Sequence, residues 1–215
     1  MIKAIFFDLD GTLLNTLEDI RVTLNKSLSF FGLPEISSEQ TKEYVGNGAR
    51  LLVERAVGNK PQEVQDKVYS DFSKRFSESA NEFTYFYDGE EKALHSFKKA
   101  GIKLIIVTNK PQCVADKVYN KFLSQFDFCK VVGQTQEYPL KPDPAATLAI
   151  IKELNLQKEE CVFVGDGETD FLTGRAAGIK CISVLWGYRS KAQLQEIGAS
   201  VFVKDYSELF KTILA

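Results

Sequence analysis

The sequence predicts an α/β protein in which a parallel sheet, covered by helices on both faces, is interrupted by a block of helices. The chain opens with the apolar run AIFF, which has the length and composition of a buried strand. Between Thr16 and about Asn81 the apolar residues follow helical spacing, without a strand-like run. From about Phe83 onward, strand-like and helix-like segments alternate, a pattern typical of parallel sheets covered by helices.

The first helix is predicted after Thr16, a candidate N-cap, because Ile20, Leu24 and Leu28 recur at helical spacing. Three more helices are predicted from the segments SSEQTKEYV, ARLLVERAV and PQEVQDKVYSDFSKRF. Such a stretch is too long for a loop and long enough to form a small bundle of its own. We call residues 16–82 the helical block and predict that they form a separate domain.

The rest of the chain forms the alternating part. Its predicted strands are IKLIIVTN, FCKVVG, CVFVGDG, KCISVLW and SVFV. Its predicted helices are EEKALHSFKKAG, PQCVADKVYNKFLSQF, DPAATLAIIKELN, ETDFLTGRAAG, KAQLQEIG and YSELFKTIL. Together with the first strand, these segments predict one α/β core made of residues 1–15 and 83–215. Open α/β sheets bind ligands at the carboxyl ends of their strands, which is where the helical block is inserted.

Composition excludes several classes of partner. The chain has 215 residues with 44% hydrophobic and 26% charged residues, which is ordinary for a globular protein. A net charge of −2 argues against nucleic acid as a partner. The sequence shows neither an apolar run of ~18 residues, as a membrane span requires, nor a signal-peptide pattern. The four cysteines form no C-x-x-C pair, so we expect free thiols in a cytoplasmic protein, either a monomer or a homodimer.

Two carboxylates follow the first strand directly. Asp8 and Asp10 are separated by one residue, so in extended backbone their side chains share a face. Two such charges ~4 Å apart repel by roughly 4 kcal/mol at an effective dielectric constant of 20. Placing both acids at the end of a buried strand therefore requires a compensating cation.

Further chemically active residues follow other predicted strands. Thr108 and Asn109 end IKLIIVTN, Lys141 lies in the loop after FCKVVG, and Asp166 and Asp170 follow CVFVG. Each has an alternative explanation. Thr108 and Asn109 are suitable helix caps, and Lys141 suits a solvated surface. An acid such as Asp170 is favoured near a helix N-terminus. Because the carboxyl ends of parallel strands lie along one edge, we instead expect these side chains to meet the first two acids.

Such a set suits phosphate-ester chemistry. Mg²⁺ binds one or two carboxylates together with a phosphate oxygen, and a lysine and a hydroxyl can hold the remaining phosphate oxygens. A carboxylate nucleophile divides the reaction into two easier steps through an aspartyl-phosphate. A second carboxylate then serves as general acid and base. The sequence therefore predicts a magnesium-dependent enzyme acting on a small phosphorylated metabolite.

The segments DLDGT, TN, KPDP and GDGETD resemble, in this order, the four motifs of the haloacid dehalogenase-like hydrolase superfamily. This resemblance implies a Rossmann-like core with an inserted helical cap. It implies that Asp8 is the nucleophile, that Asp10 is the general acid and base, and that Lys141 orients the nucleophile. Asp166 would bind Mg²⁺ together with the Asp8 carboxylate and the Asp10 backbone carbonyl, and Asp170 would support the water shell of the metal.

The resemblance also suggests a substrate. The second motif implies phosphate binding by Thr108 and Asn109, and the stretch YVGNGARLLVERAVG resembles the cap of phosphoglycolate phosphatases. Gly48 would let the backbone approach a small substrate, and Arg50 would bind its carboxylate as a bidentate fork. The alternative for Arg50 is a solvated helix face.

Several functions remain compatible with these motifs. A phosphoglycolate phosphatase is the main prediction, with β-phosphoglucomutase-like, pyrophosphatase or nucleotide phosphatase activity as alternatives. Within the superfamily, Asp10 implies phosphatase or mutase chemistry, because an alkoxide leaving group needs a proton. A signalling receiver domain is a remote alternative, since such a domain is about half as long and lacks a helical insertion.

Overall fold

The structure, a computed structural model, describes residues 1–214, which contain eight strands and ten α-helices. The strands are β1 (Ala4–Phe7), β2 (Leu14–Asn15), β3 (Tyr85–Phe86), β4 (Lys103–Pro111), β5 (Lys130–Gln134), β6 (Cys161–Gly165), β7 (Lys180–Val184) and β8 (Phe202–Val203). The helices are α1 (Leu17–Phe30), α2 (Ser38–Tyr44), α3 (Ala49–Val57), α4 (Gln62–Glu78), α5 (Glu90–Lys99), α6 (Gln112–Val118), α7 (Ala145–Glu153), α8 (Glu168–Ala177), α9 (Lys191–Glu196) and α10 (Tyr206–Leu214).

One six-stranded sheet has the order β5–β4–β1–β6–β7–β8, and every neighbouring pair in it is parallel. Strand β1 lies in the middle, with Phe7 level with Ile106 of β4 and with Val164 of β6. The carboxyl ends of these three strands therefore meet at one edge of the sheet. The predicted α/β architecture with a parallel sheet is confirmed.

The side chains of β1 alternate between two hydrophobic cores, one on each face of the sheet. Ile5 and Phe7 pack in a cluster with residues of α5, α6 and α10, whereas Ala4 and Phe6 pack in a cluster with residues of α7 and α8. This alternation is that of an extended backbone. Because both faces are covered, all four residues are fully buried and the strand is apolar at every position.

Helices α1–α4 lie within the helical block and bury a hydrophobic cluster of their own, which includes Leu24, Val53, Val68 and Phe72. Val114 of α6 also joins this cluster, so the helical block rests on the α/β core. We keep the division into the helical block and a core of residues 1–15 and 83–215 as a proposal. No helix within residues 1–214 is both long enough and apolar enough to cross a bilayer.

The chain segments that join the helical block to the core pair with each other. Strands β2 and β3 form a short antiparallel pair in which Leu14 lies opposite Phe86 and Asn15 lies opposite Tyr85. The sequence predicts neither strand, because two residues are too few to establish a periodic pattern. Thr16, at the start of α1, does not cap the helix with its side chain. Its hydroxyl instead donates to Asp10, as described below.

A buried carboxyl lies away from the sheet edge, at the first residue of α5. Glu90 has no exposed surface, its Oε2 accepts a 3.3 Å hydrogen bond from the Tyr87 amide, and its Oε1 accepts none. Burial raises the pKa of Glu90 well above its ordinary value. A raised pKa in the folded state means that the protonated form stabilises the fold. This contribution is complete below the unfolded-state pKa and is lost as the pH rises through the folded-state value.

We therefore expect Glu90→Gln to be more stable than the wild type at about pH 8, by about 1–3 kcal/mol, because above the unfolded-state pKa unfolding relieves Glu90 of the cost of its buried position. The difference should shrink towards about pH 5, because the wild-type side chain is then neutral as well. Thermal unfolding of both proteins across this range measures the effect. Glu91→Gln, at the exposed neighbouring position, is the matched control and should change little. Equal or lower stability of Glu90→Gln at the higher pH would contradict the expectation.

Candidate active site

One cavity lies at the carboxyl edge of the sheet, between the core and the helical block. It has a volume of about 60 Å³. The sequence-predicted residues that line it are Asp8, Asp10, Gly48, Thr108, Asn109, Asp166 and Asp170. Lys141 lies behind Asp8, with its ammonium 2.8 Å from Asp8 Oδ1. The structure therefore brings together residues that follow β1, β5 and β6 and residues in the last part of β4.

Three buried carboxylates form the centre of the site. Asp8, Asp166 and Asp170 each present an oxygen within 4.8 Å of the other two. Burial, and next the charge of Asp170, raise the pKa of Asp8 to about 6 and the pKa of Asp166 to about 8. The oxygens of Asp166 accept hydrogen bonds from the Thr12 hydroxyl at 3.0 Å and the Tyr188 amide at 2.7 Å.

Two glycines make room for Asp166. A Cβ atom at Gly11 would lie 2.5 Å from Asp166 Oδ2, and one at Gly187 would lie 2.2 Å from Asp166 Cβ. Gly11 also has a φ of +84°, which residues with a side chain rarely adopt. The sequence motif contains the first glycine, whereas the second comes from a distant loop that the motif does not include.

The carboxylate cluster fits a hard divalent cation. Its donor atoms are all oxygens, and the buried Oδ1 of Asp8 accepts no hydrogen bond. The Lys141 ammonium lies within ion-pair distance of this oxygen, but the alignment is not that of a hydrogen bond. One lysine against three acids leaves an excess of buried negative charge, and Mg²⁺ would remove it.

Lys141 is held by its side chain and by its backbone. The ammonium lies 2.6 Å from Asp170 Oδ1. Burial alone lowers the pKa of Lys141, but Asp170 and Asp8 outweigh burial and raise it above the ordinary value. The Lys141 amide donates to Asn109 Oδ1 at 2.8 Å, and Asn109 Nδ2 donates to the carbonyls of Lys141 and Gly46, both at 3.0 Å. Asn109 therefore positions the lysine and contacts the helical block.

Thr108 and Asn109, the two residues predicted to bind phosphate, differ in whether the side chain still has a free hydrogen-bond donor. Both amide protons of Asn109 are already donated to carbonyls, so its side chain has no free donor for a phosphate. The buried Thr108 hydroxyl accepts a 3.3 Å hydrogen bond from the Lys110 amide, which leaves its proton for a ligand. Thr108 is therefore the better placed of the two to bind phosphate.

Asp10 has a separate set of partners. Its Oδ1 accepts a 2.5 Å hydrogen bond from the Thr16 hydroxyl. The Lys110 ammonium lies 2.9 Å from Oδ1 and 3.1 Å from Oδ2. The Thr16 amide donates to the hydroxyl of Tyr188 at 3.0 Å. Lys110 is not among the sequence-predicted site residues, although its position directly after Thr108 and Asn109 at the end of β4 could have indicated it.

Arg50 does not line the cavity. Its guanidinium forms 2.6 Å ion pairs with Glu54 and Asp66 and lies over the Tyr69 ring. Ala49 of the same helix lines the cavity, and the next residue projects about 100° further round an α-helix, towards the acids. The structure therefore places Arg50 on the partly solvated helix face that the sequence left as the alternative.

A second arginine, which the sequence analysis missed, joins the core to the helical block. Arg189, in the segment LWGYRS after β7, pairs with Glu168 at 3.0 Å. The same guanidinium donates to the carbonyls of Lys42 and Val45, the latter at 2.7 Å. These carbonyls end α2, where a cation is favoured. Arg189 therefore stabilises the helical block in its position over the cavity.

Comparison with known proteins gives a consistent set of relatives. The family model described as haloacid dehalogenase-like hydrolase matches residues 5–184. Phosphoglycolate phosphatase 1 of Pseudomonas aeruginosa is 28% identical over 96% of this chain and 78% of its own length. A phosphoglycolate phosphatase of Xanthomonas campestris is 33% identical over 87% of this chain and 85% of its own.

Solved structures are similar over the full length. A predicted phosphoglycolate phosphatase from Haemophilus somnus superposes with a TM-score of 0.90 at 26% identity, covering 98% of this chain and 97% of that chain. A predicted phosphatase from Clostridium acetobutylicum has a TM-score of 0.87 at 26% identity, covering 100% and 99%. The likeness therefore includes both the α/β core and the helical block.

Proposed function

Because the chain belongs to the haloacid dehalogenase-like hydrolase family, we propose that it is a magnesium-dependent phosphatase whose substrate is 2-phosphoglycolate. The observation that carries the proposal is the meeting of Asp8, Asp166 and Lys141 at one edge of the sheet, beside Asp10. A nucleophile, a cation-binding pair, an ammonium and a second carboxylate are the groups that hydrolysis of a phosphate monoester through an aspartyl-phosphate requires.

In the first step a carboxylate oxygen of Asp8 attacks phosphorus, and the bond from phosphorus to the ester oxygen breaks. Asp10 donates its proton to that oxygen, so the product leaves as an alcohol. In the second step Asp10 takes a proton from a water molecule that attacks the aspartyl-phosphate, which releases phosphate and restores Asp8. The Lys141 ammonium and the Thr108 hydroxyl hold the phosphoryl oxygens throughout.

The residues that would hold magnesium are Asp8, Asp166 and the backbone carbonyl of Asp10, with Asp170 supporting the water shell. When bound, the ion supplies positive charge that offsets the buried acids and the phosphoryl oxygens. Asp170 has a further role that needs no metal. It pairs with Lys141 and accepts a 2.9 Å hydrogen bond from the Gly167 amide, which keeps the lysine directed at Asp8.

The size and lining of the cavity support a small substrate. Its volume of about 60 Å³ is far below the roughly 300–1,000 Å³ of pockets that hold drug-sized ligands. On the side of the helical block its lining includes Gly48, Ala49, Leu52 and Phe76, which are small or apolar. A two-carbon ester suits this space better than a sugar phosphate or a nucleotide.

A substrate panel tests the proposal. With Mg²⁺ present we expect the highest kcat/KM for 2-phosphoglycolate, and lower values for glucose 1-phosphate, pyrophosphate and nucleoside monophosphates. We expect EDTA to abolish phosphate release and added Mg²⁺ to restore it, because the buried acids then lose and regain their counter-charge. Absence of hydrolysis with every compound of the panel would contradict the enzyme class. A higher kcat/KM for a compound other than 2-phosphoglycolate would contradict only the proposed substrate.

A further inference from the structure

Lys110 is a buried cation at the cavity whose partners leave one donor unused. Its side chain is only 1% exposed. Two of the three ammonium protons are accounted for by the two Asp10 oxygens, at 2.9 and 3.1 Å. The ammonium also lies 4.6 Å from the centre of the Phe76 ring, which belongs to α4 of the helical block. Lys110 is thus enclosed between the acid and the helical block, and one of its protons has no hydrogen-bond acceptor.

The other cations near the cavity are already engaged. Lys141 pairs with Asp8 and Asp170, and in the proposed mechanism it holds the phosphoryl oxygens, so it is assigned to the phosphate group. Arg189 lines the cavity, but its guanidinium donates to Glu168 and to two carbonyls that end α2. Among the cavity-lining side chains within residues 1–214, Lys110 is therefore the cation best able to receive an additional anionic group.

We propose that Lys110 binds the carboxylate of the substrate and thereby selects small phosphate esters whose carboxylate carbon lies two bonds from the ester oxygen. This inference rests on the proposed function. In the reaction the ester oxygen must approach Asp10, which donates its proton to it. Because Lys110 lies directly on the Asp10 carboxylate, a carboxylate joined to the ester oxygen through one carbon is brought within reach of the same ammonium.

Charge balance supports the same assignment. The Asp10 oxygens account for two of the three Lys110 protons. A substrate carboxylate would accept the third and add negative charge beside the buried ammonium, whereas a neutral substituent would add none. Enclosure by Phe76 strengthens the attraction, because Coulomb interactions grow as water is excluded. The Arg50 side chain, at 35% exposure and bound to two acids, offers neither advantage.

The test compares two esters of equal length, 2-phosphoglycolate and 2-hydroxyethyl phosphate, which carries a hydroxymethyl group in place of the carboxylate. For the wild type we expect kcat/KM to favour phosphoglycolate by about 10- to 100-fold, the range for a hydrogen bond to a charged group. Lys110→Met should remove most of this preference. The additional loss with phosphoglycolate should occur mainly in KM. Any loss common to both esters reports the support that Lys110 gives to Asp10.

Arg50→Met is the matched control and should retain the wild-type ratio. Lys110→Gln, which keeps a neutral donor in place, provides a second measurement if the methionine variant does not fold. A ratio that Lys110→Met and Lys110→Gln leave unchanged would overturn the inference, and so would a ratio that Arg50→Met abolishes. Wild-type hydrolysis of both esters without preference would overturn it while leaving the phosphatase proposal intact. Hydrolysis of neither ester would overturn both.

Discussion

Asp8→Asn is expected to abolish the turnover of p-nitrophenyl phosphate in the presence of Mg²⁺. The asparagine has nearly the same shape as the aspartate but lacks a carboxylate that can attack phosphorus. It also removes one of the three buried acids proposed to attract the cation. Removing a covalent nucleophile or the base that assists it costs roughly 10⁶-fold in kcat. Release of p-nitrophenolate, followed against an enzyme-free blank, measures the loss.

The loss should not result from unfolding. Burial, the charge of Asp170 and the charge of Asp10 all raise the pKa of Asp8, so its ionised form is disfavoured in the folded protein. A neutral asparagine relieves part of that cost, and Lys141 keeps its ion pair with Asp170. We therefore expect the thermal stability of metal-free Asp8→Asn to equal or exceed that of the metal-free wild type.

Asp143→Asn is the matched control for Asp8→Asn, because this exposed acid accepts a 2.8 Å hydrogen bond from the Ala145 amide, as an asparagine also can. Its turnover should match that of the wild type. Substantial turnover by Asp8→Asn would refute the assignment of the nucleophile. If Asp8→Asn is inactive because it does not fold, Asp8→Glu tests the assignment instead. This variant should fold and also lose activity, because its carboxylate is displaced by one methylene group.

The core and the strand-end residues could be predicted because both depend on local patterns. A parallel strand covered on both faces is apolar throughout, as β1 is, so a polar residue directly after it is conspicuous. Asp8, Thr108 and Asp166 each follow such a run, and the parallel arrangement brings the strand ends to one edge. No long-range contact has to be known for this inference.

The remaining residues depend on contacts that span the chain. Lys110 meets Asp10 across 100 positions, and Arg189 meets Val45 across 144 positions. Each is one of 27 basic residues in the sequence; Lys110 is marked only by its position directly after Thr108 and Asn109, and Arg189 by no local pattern. Arg50 shows the converse case. Helical spacing predicted α3, but which face of α3 borders the cavity depends on how the helical block docks on the core.

Asp10→Asn should separate the two halves of the reaction. The first half-reaction with p-nitrophenyl phosphate releases a stable phenolate that needs no proton, so loss of the acid should affect it little. Hydrolysis of the aspartyl-phosphate still requires a base and should slow by about 10²- to 10⁴-fold. We therefore expect a rapid burst of p-nitrophenolate, close to one equivalent per active site, followed by a slow steady state.

An alkyl phosphate such as 2-phosphoglycolate should behave differently in the same variant. Its leaving alkoxide does need a proton, so both half-reactions should slow and no burst of glycolate should be seen. A residue that only maintained the fold would lower the rates with both esters to the same degree. If Asp10→Asn showed equal losses with the two esters and no burst with either, Asp10 would not be the general acid and base. The contacts that Thr16 and Lys110 make with Asp10 would then serve only to stabilise the structure, because Asp10 would deliver no proton.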